Sequence, residues 1–259
     1  MSLHSYFDNL EPDSPDAEIW RFMPVEYFED LMANEELRFT RADCFKQDET
    51  EGIPPEDYLR RVMGLRRYVI EDEVTLSHHI GTLAQDRERY YVQCWHLHRH
   101  ETLEMWQGFA ENGVAVRSRY DLIKSVMAGM LLDRTHLGLM RYGDERLHQT
   151  GRVNVLQFIH TKRKAYEGER EVRAIIEGQL AGDNRHFDAN NYPHSRPLPE
   201  NPRPSWVHGY KRRRIDVTAL VTGVVVSPLA TDEVLGVVKH WVQVKKHSYD
   251  VRLSNLTIG

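Results

Sequence analysis

The chain has few of the features that mark a secreted or membrane-spanning protein. It contains only two cysteines, Cys44 and Cys94, among 259 residues, which is too few for a disulfide framework. The longest apolar runs, 126–132 and 221–229, are far shorter than the ~20 residues that cross a bilayer. The first residues carry neither a basic segment nor an apolar one, so a signal peptide is not expected. We therefore expect a cytoplasmic protein with no membrane partner.

Common nucleotide-binding and hydrolase motifs are also missing. The sequence has no Walker A loop and no Gly-x-Gly-x-x-Gly, which argues against a nucleotide kinase or a Rossmann dehydrogenase. It also has no Gly-x-Ser-x-Gly elbow, although its fourteen histidines leave a Ser-His-Asp triad open. The net charge of −5 gives no reason to expect a coat of nucleic acid or lipid.

The patterns that are present predict a mixed fold. Hydrophobic residues make up 41% and charged residues 28%, as in ordinary globular proteins. Alternation and helical spacing predict strands at 18–23, 37–40, 90–97, 114–118, 153–160, 169–177, 215–226 and 249–253, and helices at 25–34, 56–89, 101–109, 121–132 and 231–244. We predict an α+β fold, with a mixed, largely antiparallel sheet and helices packed around it.

The domain organisation is predicted to be simple. Residues 1–17 are polar and read as a loosely ordered lead-in. Residues 18–259 are predicted to form one domain. Within it, 180–209 is a Pro-rich loop with five prolines, and a loop of that length is typical of a binding loop or a lid.

An acidic strand is the first candidate for chemistry. On a strand, Glu169, Glu171 and Arg173 would share one face. Two carboxylates so close repel each other unless cations offset the repulsion, and Arg173 would be the counter-charge. The alternative is a salt-bridged face exposed to solvent.

Two further patterns leave alternatives open. If the strand at 90–97 continues, Cys94, His96, His98 and His100 share a face, which can bind zinc; the alternative is ordinary surface histidines. The run Lys211-Arg-Arg-Arg214 follows several aromatic residues, a combination that can hold nucleic acid. It can equally be a solvated edge that discourages aggregation.

Several segments together resemble a widespread bacterial family that is known only as a domain of unknown function. The resemblance extends over about residues 19–254. The matching pieces are Trp20–Pro24, Leu37–Thr40, Phe45, Cys94–His96, Glu104–Trp106, Gly113–Val116, Lys162–Arg173 and Val224–Pro228.

A more distant resemblance is to ADP-ribosyltransferases, including the DNA-modifying toxins. It is carried by the Ile19-Trp-Arg21 opening and by Tyr166-Glu-Gly-Glu-Arg-Glu171 far downstream. The resemblance implies NAD as substrate. It also implies that Arg21 holds the NAD phosphates or ribose and that Thr40 is the polar residue of a second strand. The same resemblance implies that Glu171 is the catalytic acid and Glu169 its helper, or the reverse. The ring of Tyr166, or else that of Trp95 or Trp106, would be suited to stacking on nicotinamide, and the alternative for each ring is a place in the core.

The expected function is therefore that of an NAD-dependent ADP-ribosyltransferase-like enzyme, as a toxin or antiphage effector that modifies nucleic acid or protein. Two alternatives stay open. One is a non-catalytic module that binds a nucleotide or a partner. The other is a metal-dependent hydrolase that uses His96, His98 and His100.

Overall fold

The computed structural model describes residues 10–45, 51–53, 81, 86–143, 155–178, 209–246 and 248–256. Its strands are β1 Glu18–Pro24, β2 Glu36–Arg41, β3 Tyr90–His96, β4 Gly113–Arg119, β5 Arg134–Leu139, β6 Arg141–Tyr142, β7 Thr161–Lys162, β8 Glu171–Glu177, β9 Tyr210–Arg214, β10 Gly223–Val226 and β11 Asp250–Leu253.

The helices lie between these strands. They are α1 Val25–Asn34, α2 Leu103–Phe109, α3 Tyr120–Gly129, α4 Val155–Ile159, α5 Val217–Leu220 and α6 Asp232–Val244, with short 3-10 helices at Ala42–Cys44, Arg87–Arg89 and Lys164–Glu169. The expected α+β class, with a mixed and mostly antiparallel sheet, is confirmed. Among the described helices, none combines the length and the apolar character needed to cross a membrane.

Nine of the strands form one sheet, and β3 lies at its junction. Along one edge β3 pairs with β8, which in turn pairs with β5. Its other edge contacts β1 at one end, through Trp20 and His96. The same edge contacts β2 at the opposite end, through Thr40 and Val92. From β1 the sheet continues through β4 and β10 to β11, and from β2 it continues to β9.

This arrangement opens a fork in the sheet. Both β1 and β2 are antiparallel to β3, but Gln93, Cys94 and Trp95 pair only with β8. Residues 21–24 of β1 pair only with β4, and residues 36–39 of β2 pair only with β9. We call the opening between these two segments, at the edge of β3, the fork. Helix α1 joins the two sides of the fork and ends at Asn34. The next residue, Glu35, has a left-handed backbone conformation, and its N–H donates to the carbonyl of Leu31.

Hydrophobic residues are buried on both faces of the sheet. The largest core cluster includes Ile19, Trp95, Val116 and Val172, packed against helices α1, α3 and α6. On the other face, Trp20, Phe22 and Trp106 form a smaller cluster under α2. A third cluster joins Val92 and Ile175 to α4. Strand alternation explains this division, because neighbouring residues of β1, β3 and β8 enter different clusters.

Some predicted elements are wrong. Residues 153–160, predicted as a strand, contain helix α4, and all five of its residues are buried. A short apolar run that is buried all round cannot be identified as strand or helix from its period. The predicted strand 215–226 is helix α5 followed by the shorter β10. Asp216 caps that helix by accepting from two backbone amides.

Parts of the predicted lead-in 1–17, of the predicted helix 56–89 and of the Pro-rich loop 180–209 lie outside the described residues. Residues 10–17 are irregular, but Leu10 is buried and its carbonyl accepts from the amide of Leu139. Residues 1–9 and almost all of the Pro-rich loop 180–209 lie outside the described ranges.

Gly113 offers a direct test of this packing. A Cβ atom built there would lie 2.2 Å from the carbonyl oxygen of Met23. We expect Gly113→Ala to destabilise the protein by about 1–3 kcal/mol, because the β1 backbone must move. Gly236 is exposed in α6 with nothing within 4 Å of such a Cβ. Gly236→Ala should stabilise the protein by roughly 0.5–1 kcal/mol. Denaturant unfolding measures both, and equal effects would contradict the β1–β4 register.

Candidate functional site

A sharp turn places the two candidate carboxylates at the start of β8. The 3-10 helix Lys164–Glu169 ends at Arg170, which adopts a left-handed conformation with φ of 42°. Strand β8 begins at the next residue, Glu171. The prediction that Glu169 and Glu171 alternate along one strand is therefore wrong, since Glu169 lies before the strand.

The predicted pairing of Glu171 with Arg173 is confirmed. Nε of Arg173 donates to one carboxylate oxygen at 2.7 Å and Nη2 to the other at 3.0 Å. The same Nη2 donates to Glu51, and Nη1 donates to the carbonyl of Ile159. Glu171 is 2% and Arg173 1% exposed. The alternative interpretation of these residues as a solvated surface face is therefore wrong.

Lys162 brings the two carboxylates together. Its Nζ lies 2.6 Å from an oxygen of Glu169 and 3.4 Å from an oxygen of Glu171. We call Glu51, Lys162, Glu169, Glu171 and Arg173 the carboxylate network. Lys162 lies on β7, so the short pairing of β7 with β6 positions the cation that holds this network together.

The two carboxylates have opposite electrostatic environments. Burial disfavours the ionised form of Glu171, but the charges of Arg173 and Lys162 hold its pKa well below the usual range. Burial raises the pKa of Glu169, and Lys162 only partly opposes this rise.

Glu169 is also the more accessible of the two. Its side chain is 16% exposed, whereas Arg173 and Lys162 occupy both oxygens of Glu171. Of the two assignments left open by the sequence, the geometry favours Glu169 for contact with a substrate. Glu171 then positions Lys162.

His96 lies directly beside these carboxylates. Its Nδ1 lies 3.0 Å from the carbonyl oxygen of Glu169, so a neutral ring donates there and leaves Nε2 unprotonated. Burial lowers the pKa of His96 to about 4, although the charge of Glu171 opposes this fall. Phe22 and Phe109 pack against the ring.

The histidine-based metal site receives no support. Strand β3 ends at His96, so strand alternation does not extend to His98 and His100. Within the described ranges, no group of three His, Cys, Asp or Glu side chains could hold a metal ion.

Tyr166 lies next to the carboxylate network. Nζ of Lys162 lies 4.9 Å from the centroid of its ring, and Arg163 donates to its hydroxyl at 3.0 Å. The ring is partly exposed.

Arg21 lies at the fork, one residue from the row formed by Trp20, His96 and Glu171. Burial lowers the pKa of Arg21 to about 10; Cys94 opposes this fall and the positive charge of Arg38 adds to it. Among the described residues Arg21 has no hydrogen-bond or carboxylate partner.

Thr40 is not brought to the carboxylates. It pairs with Val92, which pairs with Ile175. Ile175 lies four positions from Glu171, a distance of roughly 13 Å along the strand.

Several functional contacts were not predicted from the sequence. In the sequence, Lys162 stands out only as one residue of the segment Lys162–Arg173. Glu51 has no local signal because Arg173 is 122 positions away. Tyr142 accepts the backbone N–H of Glu171 at 2.7 Å, which fixes the start of β8.

The basic run on β9 is partly neutralised. Arg212 donates to Asp30 at 2.8 Å, and Arg213 pairs with both oxygens of Asp133. A cleft of about 390 Å³ lies beside Asp133 and Arg213. It is near the Glu177 end of β8 rather than the Glu171 end, because Arg134 pairs with Glu177.

Comparisons with known proteins do not extend this picture. No family model, no curated protein and no solved structure matches the chain.

Breaking the carboxylate network should lower the free energy of unfolding. Arg173→Met leaves the carboxylates of Glu51 and Glu171 buried without their main partner, so we expect a loss of about 3–5 kcal/mol. Arg119 also pairs with a carboxylate, that of Asp121, but both side chains are exposed. Arg119→Met should leave the midpoint of denaturant unfolding almost unchanged. Similar midpoints for the two variants would contradict the buried network.

The depressed pKa of His96 predicts acid sensitivity. Between pH 6.5 and about 4 the unfolded chain takes up a proton at this position and the folded protein does not. Folding stability should therefore fall as the pH decreases, by about 3 kcal/mol for this group. His96→Asn keeps a donor for Glu169 and should remove that part of the pH dependence. Denaturant unfolding at pH 7 and 4.5 measures it, and an unchanged pH dependence would contradict a buried neutral His96.

Proposed function

We propose that this protein is an NAD-dependent ADP-ribosyltransferase-like enzyme. The observation that carries the proposal is the accessible carboxylate of Glu169, held by Lys162 beside the row of Trp20, His96 and Glu171. The unpartnered Arg21 lies next to that row. Cleavage of NAD requires a carboxylate beside the ribose and a cationic group for the phosphates, and only β3 separates β1, which carries Arg21, from β8.

The chemistry suits these groups. The bond between nicotinamide and ribose breaks, and its electron pair leaves with nicotinamide. A carboxylate beside the ribose stabilises the resulting oxocarbenium-like state. The acceptor nucleophile then attacks the same carbon, and Glu169 takes its proton. A raised pKa brings Glu169 closer to the pH at which a general base is most effective.

The other residues have supporting roles in this proposal. Lys162 and Glu171 hold Glu169 in place, and Arg21 binds the phosphates of NAD. The ring of Tyr166 is available for stacking on nicotinamide. Thr40 is given no contact with the carboxylates in this proposal, because the register places it farther along the sheet.

The acceptor is proposed to be nucleic acid or protein within the cytoplasm, with the enzyme acting as a toxin or antiphage effector. The ion pairs of Arg212 and Arg213 weaken the case for nucleic acid that the basic run alone suggested.

A non-catalytic nucleotide-binding module is the second candidate. It is favoured by the 2.6 Å contact between Lys162 and Glu169, which neutralises the carboxylate that would have to act as the base. Such a module would bind NAD without cleaving it.

Incubation with NAD distinguishes the two candidates. The wild-type protein should release nicotinamide, and Glu169→Gln should reduce the rate at least about a hundredfold. NAD should still raise the melting temperature of that variant, because a ligand that binds the folded state stabilises it. The rate should rise with pH through a value above 4.5, the ordinary pKa of a glutamate.

Arg119→Gln is the control, since it removes an exposed side chain on β4. Stabilisation by NAD without nicotinamide release would establish the binding module instead. The enzymatic proposal fails if the wild type releases no nicotinamide and modifies no acceptor, or if Glu169→Gln is as active as the wild type.

A further inference from the structure

Two leucines project from the turn between helix α3 and strand β5. Leu131 is 67% and Leu132 is 82% exposed, which makes them the most exposed large hydrophobic residues in the described part of the chain. Single exposed leucines are ordinary on a protein surface, whereas contiguous exposed apolar groups mark a surface that binds a partner.

The turn that carries these leucines is held on both sides. The amide of Leu131 donates to the carbonyl of Gly129. Met130 accepts from the amide of Asp133 and packs against the largest core cluster. The buried carboxylate of Asp133 pairs with Arg213. The two leucines therefore keep their outward positions, and little conformational entropy is lost when a partner covers them.

An open cleft lies directly beside the leucines. It has a volume of about 390 Å³, and Leu131 and Leu132 form part of its wall. Val126 and Ile215 also line it and pack against the largest core cluster. Gly129 leaves space in its wall, because nothing lies within 4 Å of a Cβ atom built there. A cavity of about 150 Å³ already holds a benzene molecule, so this cleft has room for a leucine side chain.

The charged groups of the cleft fit a second copy of the same surface. Arg214 and Asp216 are exposed, line the cleft and flank Ile215. Glu36, the cross-strand neighbour of Arg214, pairs with Arg212. In a two-fold contact a surface meets itself, so an axis near Ile215 places Arg214 opposite Asp216 of the second copy. The exposed leucines of each copy then face the cleft of the other.

We propose that this surface is the interface of a homodimer, in which Leu132 of each copy inserts into the cleft of the other. Eleven residues line the cleft, about half of the roughly 20–30 per side in a stable complex. We therefore expect a weak dimer, with a dissociation constant of about 1–100 μM. Dimerisation is independent of the proposed reaction, because the cleft lies near the Glu177 end of β8 rather than the Glu171 end.

Sedimentation equilibrium of the full chain, at concentrations from about 1 to 200 μM, measures this association. The mass should rise from 30.4 kDa towards twice that value. Leu132→Asp should weaken dimerisation about a hundredfold or more, because it removes two buried leucines from each dimer. Gly129→Arg fills the cleft but leaves both leucines in place, and it should weaken dimerisation as strongly. Arginine forms helix better than glycine, so this variant should melt no lower than the monomeric wild type.

The charged pair tests the two-fold arrangement. Arg214→Glu should weaken dimerisation about tenfold or more, because it places an acid opposite Asp216 at both contacts of the dimer. Asp216→Asn removes the charge of that residue but keeps a side chain that can cap α5. Adding Asp216→Asn to Arg214→Glu should therefore restore most of the lost affinity.

Leu253→Asp is the matched control, because Leu253 is 54% exposed and lies on β11 at another edge of the sheet. This variant should dimerise within about twofold of the wild type. A wild type that stays monomeric throughout the concentration range would assign the leucines to a different partner and overturn the proposal. It is also overturned if Leu132→Asp dimerises like Leu253→Asp, or if Asp216→Asn does not restore the affinity lost in Arg214→Glu.

Discussion

The buried pairing of Arg173 with Glu171 and Glu51 is the constraint on which the candidate site depends. Arg173 uses donors on all three of its nitrogens, and its partners come from β8, from residue 51 and from the end of α4. A buried arginine is tolerated only when such partners replace its hydration. The positions of these three segments are therefore coupled. Within the network, Lys162 contacts both Glu171 and Glu169, and Glu169 lies at the less buried side. The buried pairs therefore also fix the positions of Lys162 and Glu169.

Strand β3 imposes the second constraint. It pairs along its full length with β8 on one edge, while β1 and β2 share the other edge at opposite ends. The fork follows directly, because β1 and β2 lie along the same edge of β3 and pair only with its two ends, so the middle of that edge pairs with neither strand. Strand β8, which begins at Glu171, and strand β1, which carries Arg21, are thereby separated only by β3.

Much of the local structure could be predicted from the sequence. Alternation predicted the pairing of Glu171 with Arg173, and helical spacing predicted α1 and α6. Local patterns could not predict the left-handed Arg170, whose conformation takes Glu169 off the strand. Nor could they predict contacts between distant residues, such as Glu51 with Arg173 or Thr40 with Val92. The fork is invisible in the sequence for the same reason, since it depends on which strands are neighbours rather than on where each begins.

The carboxylate network carries a net charge, and this charge limits what can bind beside Glu169. The network contains three acids and two cations, a formal excess of one negative charge. Burial keeps that charge poorly screened by water, and Lys162 is the cation that Glu169 shares with Glu171. A group that gains positive charge next to Glu169 would be stabilised by this excess, whereas an anionic group would be repelled from it and would have to bind farther along the sheet.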